Sequence, residues 1–233
     1  GKGDRVLVVL PRIPAWQVAL VSAMRIGAVP IPSIEMLTDR DIAYRVADAG
    51  PKAFVCRACE AARYESAVAS VPVRIAIGGA PAGWGDFDEL MAAADGNAGS
   101  ETVAAEDPAV MYYTSGSSGH PKGVVHAARA IHAWRMSARY WLDLGPDDRI
   151  WCTADTGWSK AGTSILFGPW SQGACSFFYD GPFDPAGRLA LLDRHRVTVF
   201  CAPATELNRI VREDVSAHDL SALRRTVSAG EAR

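Results

Sequence analysis

Along the first third of the chain, short runs of consecutive apolar residues alternate with longer stretches in which apolar positions recur every three or four residues. Arg5 to Leu10 is a β-rich apolar run, closed by Pro11 and Pro14. From Ala15 to Ile26 the apolar residues Trp16, Ala19, Leu20, Ala23 and Met24 share one helical face, and Gly27 ends the pattern. Ala28 to Ile31 reads as a strand. Thr38 then offers an N-cap, with Asp41 three residues on, for a helix carrying Ile42, Ala43, Val46 and Ala47 and stopped by Gly50-Pro51. A strand over Lys52 to Cys56, a helix over Ala58 to Ser70 and a strand over Val73 to Ile77 complete the series. Strands separated by helices predict an α/β fold in which largely parallel sheets are covered by helices.

The later part of the chain continues in the same way. Phe87 to Ala94 predicts a short helix, and Asp95 to Pro108 is a polar connector that could mark an internal boundary or be a long loop. Lys122 to His126 reads as a strand, followed by a helix over Ala127 to Leu142 whose Ile131, Trp134, Ala138 and Trp141 form an apolar stripe expected in the core. Strands are expected at Arg149 to Thr153, Ala174 to Phe178, Val197 to Cys201 and Leu223 to Ser228, with helices at Pro185 to His195 and Pro203 to Arg212.

Composition narrows the function classes. The chain has 233 residues, enough for one large domain or two small ones, with 49% hydrophobic and 21% charged residues, as in a soluble globular protein. A net charge of −2 gives no clustered cationic excess, so neither nucleic acid nor an anionic membrane is expected as the main partner. No apolar run approaches a membrane span, and no leader pattern opens the sequence, which fits a cytoplasmic protein, or the mitochondrial matrix in a eukaryote. Five scattered cysteines do not form a secreted disulfide scaffold. Cys56 and Cys59 make a C-x-x-C, but no second ligand pair follows, so no metal site is assigned. The chain starts at Gly1-Lys2-Gly3-Asp4 without methionine and stops just after a predicted strand, as expected of a piece of a longer protein.

One stretch carries chemistry. Tyr112 to Gly123 reads Tyr-Tyr-Thr-Ser-Gly-Ser-Ser-Gly-His-Pro-Lys-Gly between two apolar runs: a strand, a polar loop and a strand. Gly116 and Gly119 permit backbone conformations in which N–H groups converge on an anion. Thr114, Ser115, Ser117 and Ser118 add hydroxyl donors, and Lys122 adds a full positive charge. A triphosphate suits such a loop; an ordinary Gly/Ser surface turn has the same composition. The spacing is neither Walker A, since His120 and Pro121 separate Gly119 from Lys122, nor G-x-G-x-x-G.

The ordered pattern closely resembles the Tyr-Thr-Ser-Gly-Ser/Thr-Thr/Ser-Gly-x-Pro-Lys-Gly signature of the adenylate-forming (AMP-binding) superfamily. Trp151 with Asp155-Thr156-Gly157-Trp158, and Ser228-Ala229-Gly230-Glu231, resemble two further motifs of that superfamily. Gly3 to Pro11, Asp41 to Arg45, Trp141 to Leu144, Gly168 to Trp170 and Thr198 to Pro203 look most like medium-chain acyl-CoA synthetases. The resemblance covers nearly the whole chain and implies an incomplete N-terminal AMP-binding domain over 1–233, without the mobile C-terminal domain of the family.

The resemblance implies a ligase that joins a carboxylic acid to ATP as an acyl-adenylate and then to CoA as a thioester, with Mg2+ accompanying the nucleotide. A medium-chain fatty acid is the implied substrate; acetyl, propionyl or aryl acids, or a truncated nucleotide-binding module without turnover, are the alternatives. Thr114, Ser115, Gly116, Ser117, Ser118, Gly119, His120, Pro121 and Lys122 would wrap the β- and γ-phosphates, with Thr114 and Lys122 the catalytic pair. Gly230 and Glu231 would approach adenine. Trp158 would wall the acyl pocket or simply pack in the core. Asp155 reads as a cap for the following turn rather than a general base, because an incoming carboxylate is already ionised at neutral pH.

Overall fold

The computed structural model describes residues 1–115 and 119–228. They form two compact units: Gly1–Ala130 with Thr156–Trp158, and Ile131–Asp155 with Ser159 onward. The 95–108 connector lies inside the first unit.

In the first unit, β1 (Arg5–Val9), β2 (Val29–Ser33), β3 (Ala53–Arg57), β4 (Val73–Ile77) and β5 (Gly85–Asp86) form one sheet in the order β2-β1-β3-β4-β5, with every pair parallel. Helices α1 (Pro14–Arg25), α2 (Asp39–Ala49) and α3 (Ala58–Tyr64) make the crossovers from β1 to β4, and α4 (Phe87–Ala93) follows β5. Pro14 opens α1 rather than only closing β1, because a missing N–H costs nothing at the first helical position. Strand alternation sends Leu7, Val9, Phe54, Cys56 and Ala76 into a core with Ile42, Ala61, Tyr64 and Trp84. The opposite side chains, Val6, Ala53, Val55 and Ile75, line an apolar recess of about 330 Å³ with residues of α1 and α4.

The helix expected over Ala58 to Ser70 is regular only to Tyr64, after which the chain continues in turns. Glu65, the residue at that end, accepts hydrogen bonds from Arg74 and from the Trp84 indole N–H at 2.7 Å. Beyond α4, β6 (Pro108–Thr114) and β7 (Lys122–Ala127) pair with each other in antiparallel fashion as a separate two-stranded sheet. The connection between them is too short for the crossover that a parallel pair requires.

Helix α5 (Ala128–Tyr140) contains the division between the units. The second unit has a four-stranded, all-parallel sheet of β8 (Arg149–Cys152), β9 (Cys175–Phe177), β10 (Val199–Cys201) and β11 (Arg225–Val227), in the order β11-β10-β8-β9. Between β8 and β9 lie a short helix α6 (Ser159–Ala161), a π-turn (Gly162–Leu166) and α7 (Phe167–Ser171). The wide turn requires a glycine: a Cβ on Gly168 would sit 2.1 Å from the Thr163 carbonyl oxygen. Helices α8 (Pro185–Arg194) and α9 (Ala204–Ile210) flank β10, and a 3-10 turn (Val215–Ala217) precedes β11.

Two features organise this unit. Arg188 of α8 is 4% exposed, with its guanidinium within 5.0 to 5.4 Å of the ring centres of Trp151, Tyr179 and Phe183 and 3.7 Å from the Glu206 carboxylate. Asp148, just before β8, accepts from the Thr198 hydroxyl (2.7 Å), the Gly145 N–H (2.8 Å) and Arg224 (2.9 and 2.6 Å), tying together the leading ends of β8, β10 and β11. The stripe on α5 is only partly core. Ala138 is buried and Trp134 stacks on Phe167 at 5.3 Å, but Trp141 is 44% exposed, because α5 ends one residue before it and leaves it off the helical face.

Candidate functional site

The hairpin β6–β7 builds the candidate site by bringing its two flanks into register. Thr114 and Lys122 are paired across the ladder at its loop end, with Tyr113 opposite Gly123 one step behind. Both Thr114 and Lys122 are exposed. Gly119 has φ +95° and open space where a Cβ would point, the backbone freedom expected of a glycine in an anion-binding turn. Ser115, His120 and Pro121 complete the described part of the loop, and Ser115 and His120 are exposed. Gly116, Ser117, Ser118, Gly230 and Glu231, all expected at the nucleotide, lie outside the described residues.

Helix α2 holds this loop on both sides. Its first turn is fixed by a reciprocal cap: Asp41 N–H donates to Thr38 Oγ1 at 3.2 Å, and Thr38 N–H to Asp41 Oδ2 at 2.9 Å. The Thr38 hydroxyl, which also donates to Asp41 Oδ2 at 2.7 Å, and then the Thr38 N–H hold the Asp41 carboxyl below the usual range. Tyr44, Arg45 and Asp48 follow at spacings that face the hairpin. The Tyr113 hydroxyl donates to Asp48 Oδ2 at 2.6 Å, and the Arg45 guanidinium lies 4.8 Å from the Tyr113 ring centre. Burial, reinforced by the Asp48 carboxylate, pushes the Tyr113 hydroxyl well above its ordinary pKa, so it remains a donor at neutral pH. On the other flank, the Tyr44 hydroxyl donates to the Pro121 carbonyl at 3.0 Å and its ring stacks on His120 at 5.2 Å.

The Thr156–Trp158 segment returns from the second unit to the first. The Thr156 hydroxyl donates to the Leu10 carbonyl at the end of β1, and Gly157 packs against the backbone just beyond β2. Trp158 is 53% exposed among the described residues. Asp155 is half-buried and belongs to the second unit. Cys56 of the C-x-x-C is buried, and burial pushes its thiol up to about 12, far from the range of a redox-active cysteine. Among the described residues no group of three or more His, Cys, Asp or Glu could hold a metal ion.

With this geometry in view, comparison with known proteins assigns the family: the AMP-binding enzyme family matches residues 1–233. This chain belongs to that family. The human acyl-coenzyme A synthetase ACSM3, mitochondrial, is 37% identical over 99% of this chain and 40% of its own length. The mouse acyl-coenzyme A synthetase ACSM4, mitochondrial, is 33% identical over 99% of this chain and 41% of its own. The chain therefore spans about two fifths of the length of these relatives. Among solved structures, a Brucella canis acyl-CoA synthetase superposes with a TM-score of 0.86 at 28% identity, covering 99% of this chain and 43% of that one. The anthranilate CoA ligase AuaEII, solved with anthranoyl-AMP, superposes with a TM-score of 0.90 over 99% of this chain and 46% of that one; at 24% identity it bears on the fold alone.

Within this AMP-binding fold the structure unites the two flanks of the expected loop. It also adds three residues the sequence reading did not assign to the site: Tyr44, Arg45 and Asp48. Tyr44 and Arg45 stood in a segment noted for its resemblance, and the i to i+4 spacing of Tyr44 and Asp48 was the available signal that they share a face. Their target, a hairpin more than sixty residues away, was not legible.

Proposed function

We propose that the whole protein carrying this chain is an ATP-dependent acid–CoA ligase that converts a medium-chain fatty acid to its acyl-adenylate and then to its CoA thioester. The observation that carries the reading is the pairing of Thr114 with an exposed Lys122 at the mouth of a glycine-containing loop, in a chain of the AMP-binding enzyme family.

In the first step a carboxylate oxygen attacks the α-phosphorus of ATP, the bond to the bridging oxygen breaks, and pyrophosphate leaves. Two anions must approach, and negative charge builds on the leaving group, so positive charge and fixed donors are the main requirement. Lys122 supplies the charge, and Thr114 a hydroxyl donor from the facing strand. Ser115 and the remainder of the loop through Gly119, His120 and Pro121 supply the turn around the β- and γ-phosphates. In the second step the CoA sulfur attacks the acyl carbon and AMP leaves. Trp158 offers an exposed apolar wall for the acyl chain. The described residues include no carboxylate cluster for Mg2+, which enters this reading only as the companion of the triphosphate. Among the described residues no helix is long and apolar enough to cross a membrane, and the reading places the enzyme in the cytoplasm, or in the mitochondrial matrix of a eukaryote.

The test is carboxylate-dependent exchange of labelled pyrophosphate into ATP by the whole protein, across acetate, propionate, medium-chain and aryl acids. Lys122→Ala should lower the exchange rate by about 10²- to 10³-fold, the cost of removing one preorganised charge-stabilising donor. An unchanged rate in that variant would overturn the loop assignment. Preference for acetate, propionate or an aryl acid would overturn the medium-chain reading, and no exchange with any acid would leave a nucleotide-binding module without turnover.

A further inference from the structure

We infer that Tyr44 is a positioning residue for nucleotide binding, setting the C-terminal arm of the phosphate loop so that Lys122 meets the phosphates; this inference rests on the reading of that loop given above. Gly119, His120 and Pro121 lead directly into Lys122. Gly119 sits at φ +95° with nothing within 4 Å of its Cβ direction, and ladder pairing holds the arm only from Lys122 onward. The hydrogen bond and ring stack made by 119–121 with other described residues both come from Tyr44: its hydroxyl to the Pro121 carbonyl at 3.0 Å, and its ring over His120 with the planes 14° apart.

Tyr44 can act this way because its own helix is rigidly referenced to the other arm. Asp48, one turn on, accepts the Tyr113 hydroxyl at 2.6 Å, and the buried Arg45 guanidinium lies over the Tyr113 ring. Tyr113 immediately precedes Thr114. The Tyr44 ring also meets the Tyr113 ring edge-on at 6.4 Å. Both flanks of the loop are thereby measured from α2, whose start is held by the Thr38–Asp41 cap and whose end is closed by Gly50 in the left-handed conformation. Flanks held in place have less conformational freedom to lose when a triphosphate binds between them. Tyr44 itself need not touch the nucleotide.

The experiment compares Tyr44→Leu, Tyr44→Phe, His120→Ala and the Tyr44→Leu/His120→Ala double variant in the whole protein. It reads kcat/KM for ATP and for the acid in pyrophosphate exchange, together with the thermal midpoint. Tyr44→Leu should lower kcat/KM for ATP about tenfold, since a displacement of about 1 Å in a positioned group costs up to 10²-fold. Tyr44→Phe, which keeps the stack and loses one neutral hydrogen bond, should lose about threefold. KM for the acid should not move, and the double variant should be no worse than Tyr44→Leu alone, because both substitutions remove the same stack. Unchanged ATP kinetics in Tyr44→Leu, with Lys122→Ala impaired, would sink the positioning role and leave the loop reading intact. Equal losses toward ATP and acid together with a lowered thermal midpoint would make Tyr44 a merely structural residue and overturn the inference. Should Tyr44→Leu fail to fold, Tyr44→Phe decides the matter by the same ATP-specific criterion. An unaffected Lys122→Ala removes the loop reading and this inference together.

Discussion

Gly157 lies so close to Ile34 that a Cβ on it would stand 2.3 Å from the Ile34 backbone nitrogen. A second collision, 2.6 Å from the carbonyl carbon of Ser33, involves backbone as well, so neither contact can be relieved by a rotamer change. Gly157→Ala should therefore destabilise the protein by about 1–3 kcal/mol, as overpacking does, and shift the neighbouring Trp158. Chemical denaturation checks the first effect, and the intrinsic fluorescence of the variant against the parent sequence checks the second.

Trp158→Ala should separate ligand contact from packing. With its indole about half exposed, truncation should change stability by no more than about 0.5 kcal/mol. Under the proposed function it should raise KM for a medium-chain acid several-fold, with KM for ATP unchanged. Steady-state kinetics with the two substrates varied in turn provide the measurement.

Removing one side of the Arg188–Glu206 pair should be costly. Arg188→Ala empties a site ringed by Trp151, Tyr179 and Phe183 and leaves a partly buried carboxylate without its cation. A loss of about 3–5 kcal/mol is expected, the range for breaking a buried pair from one side. Arg188→Met, which fills much of the volume, combined with Glu206→Gln should recover a large part of it. Urea unfolding midpoints of the three proteins test this.

Asp148 gives a pH dependence with a defined sign. Burial alone would raise its carboxyl, but hydrogen bonds from Arg224, Thr198 and Gly145 outweigh burial and hold it below the ordinary carboxylate value. A folded-state pKa below the unfolded one makes its contribution full above the unfolded value of about 4, and that contribution is lost as pH falls through the folded value. Asp148→Asn should thus cost about 1.5–3 kcal/mol at neutral pH, the range for hydrogen bonds to a charged group, and progressively less below about pH 4. Thermal midpoints of the two proteins from neutral pH to about pH 3 should converge, and a constant gap would contradict the assignment.

What the sequence determined by itself was local. Alternating strand and helix periods, the Thr38–Asp41 cap and the Gly50 stop are each encoded within a few residues, and the elements they foretell form in the expected order. The strand-loop-strand pattern around Thr114 to Lys122 was legible for the same reason, since a hairpin's two flanks are close in sequence. Element ends were less so: α3 stops at Tyr64 where Glu65 turns to partners at Arg74 and Trp84, a choice no local pattern records. Periodicity predicts Trp141 in the core, yet its helix ends before reaching it.

Tertiary structure decided everything that depends on distant residues meeting. It placed Tyr44 and Asp48 against the hairpin, Gly157 against Ile34, Arg188 among three rings, and Arg224 across 76 residues onto Asp148. Each of these depends on side chains from separate elements fitting at a few ångströms. That fit is a property of packing between elements, whereas propensity, capping and turn chemistry are properties of the segments themselves.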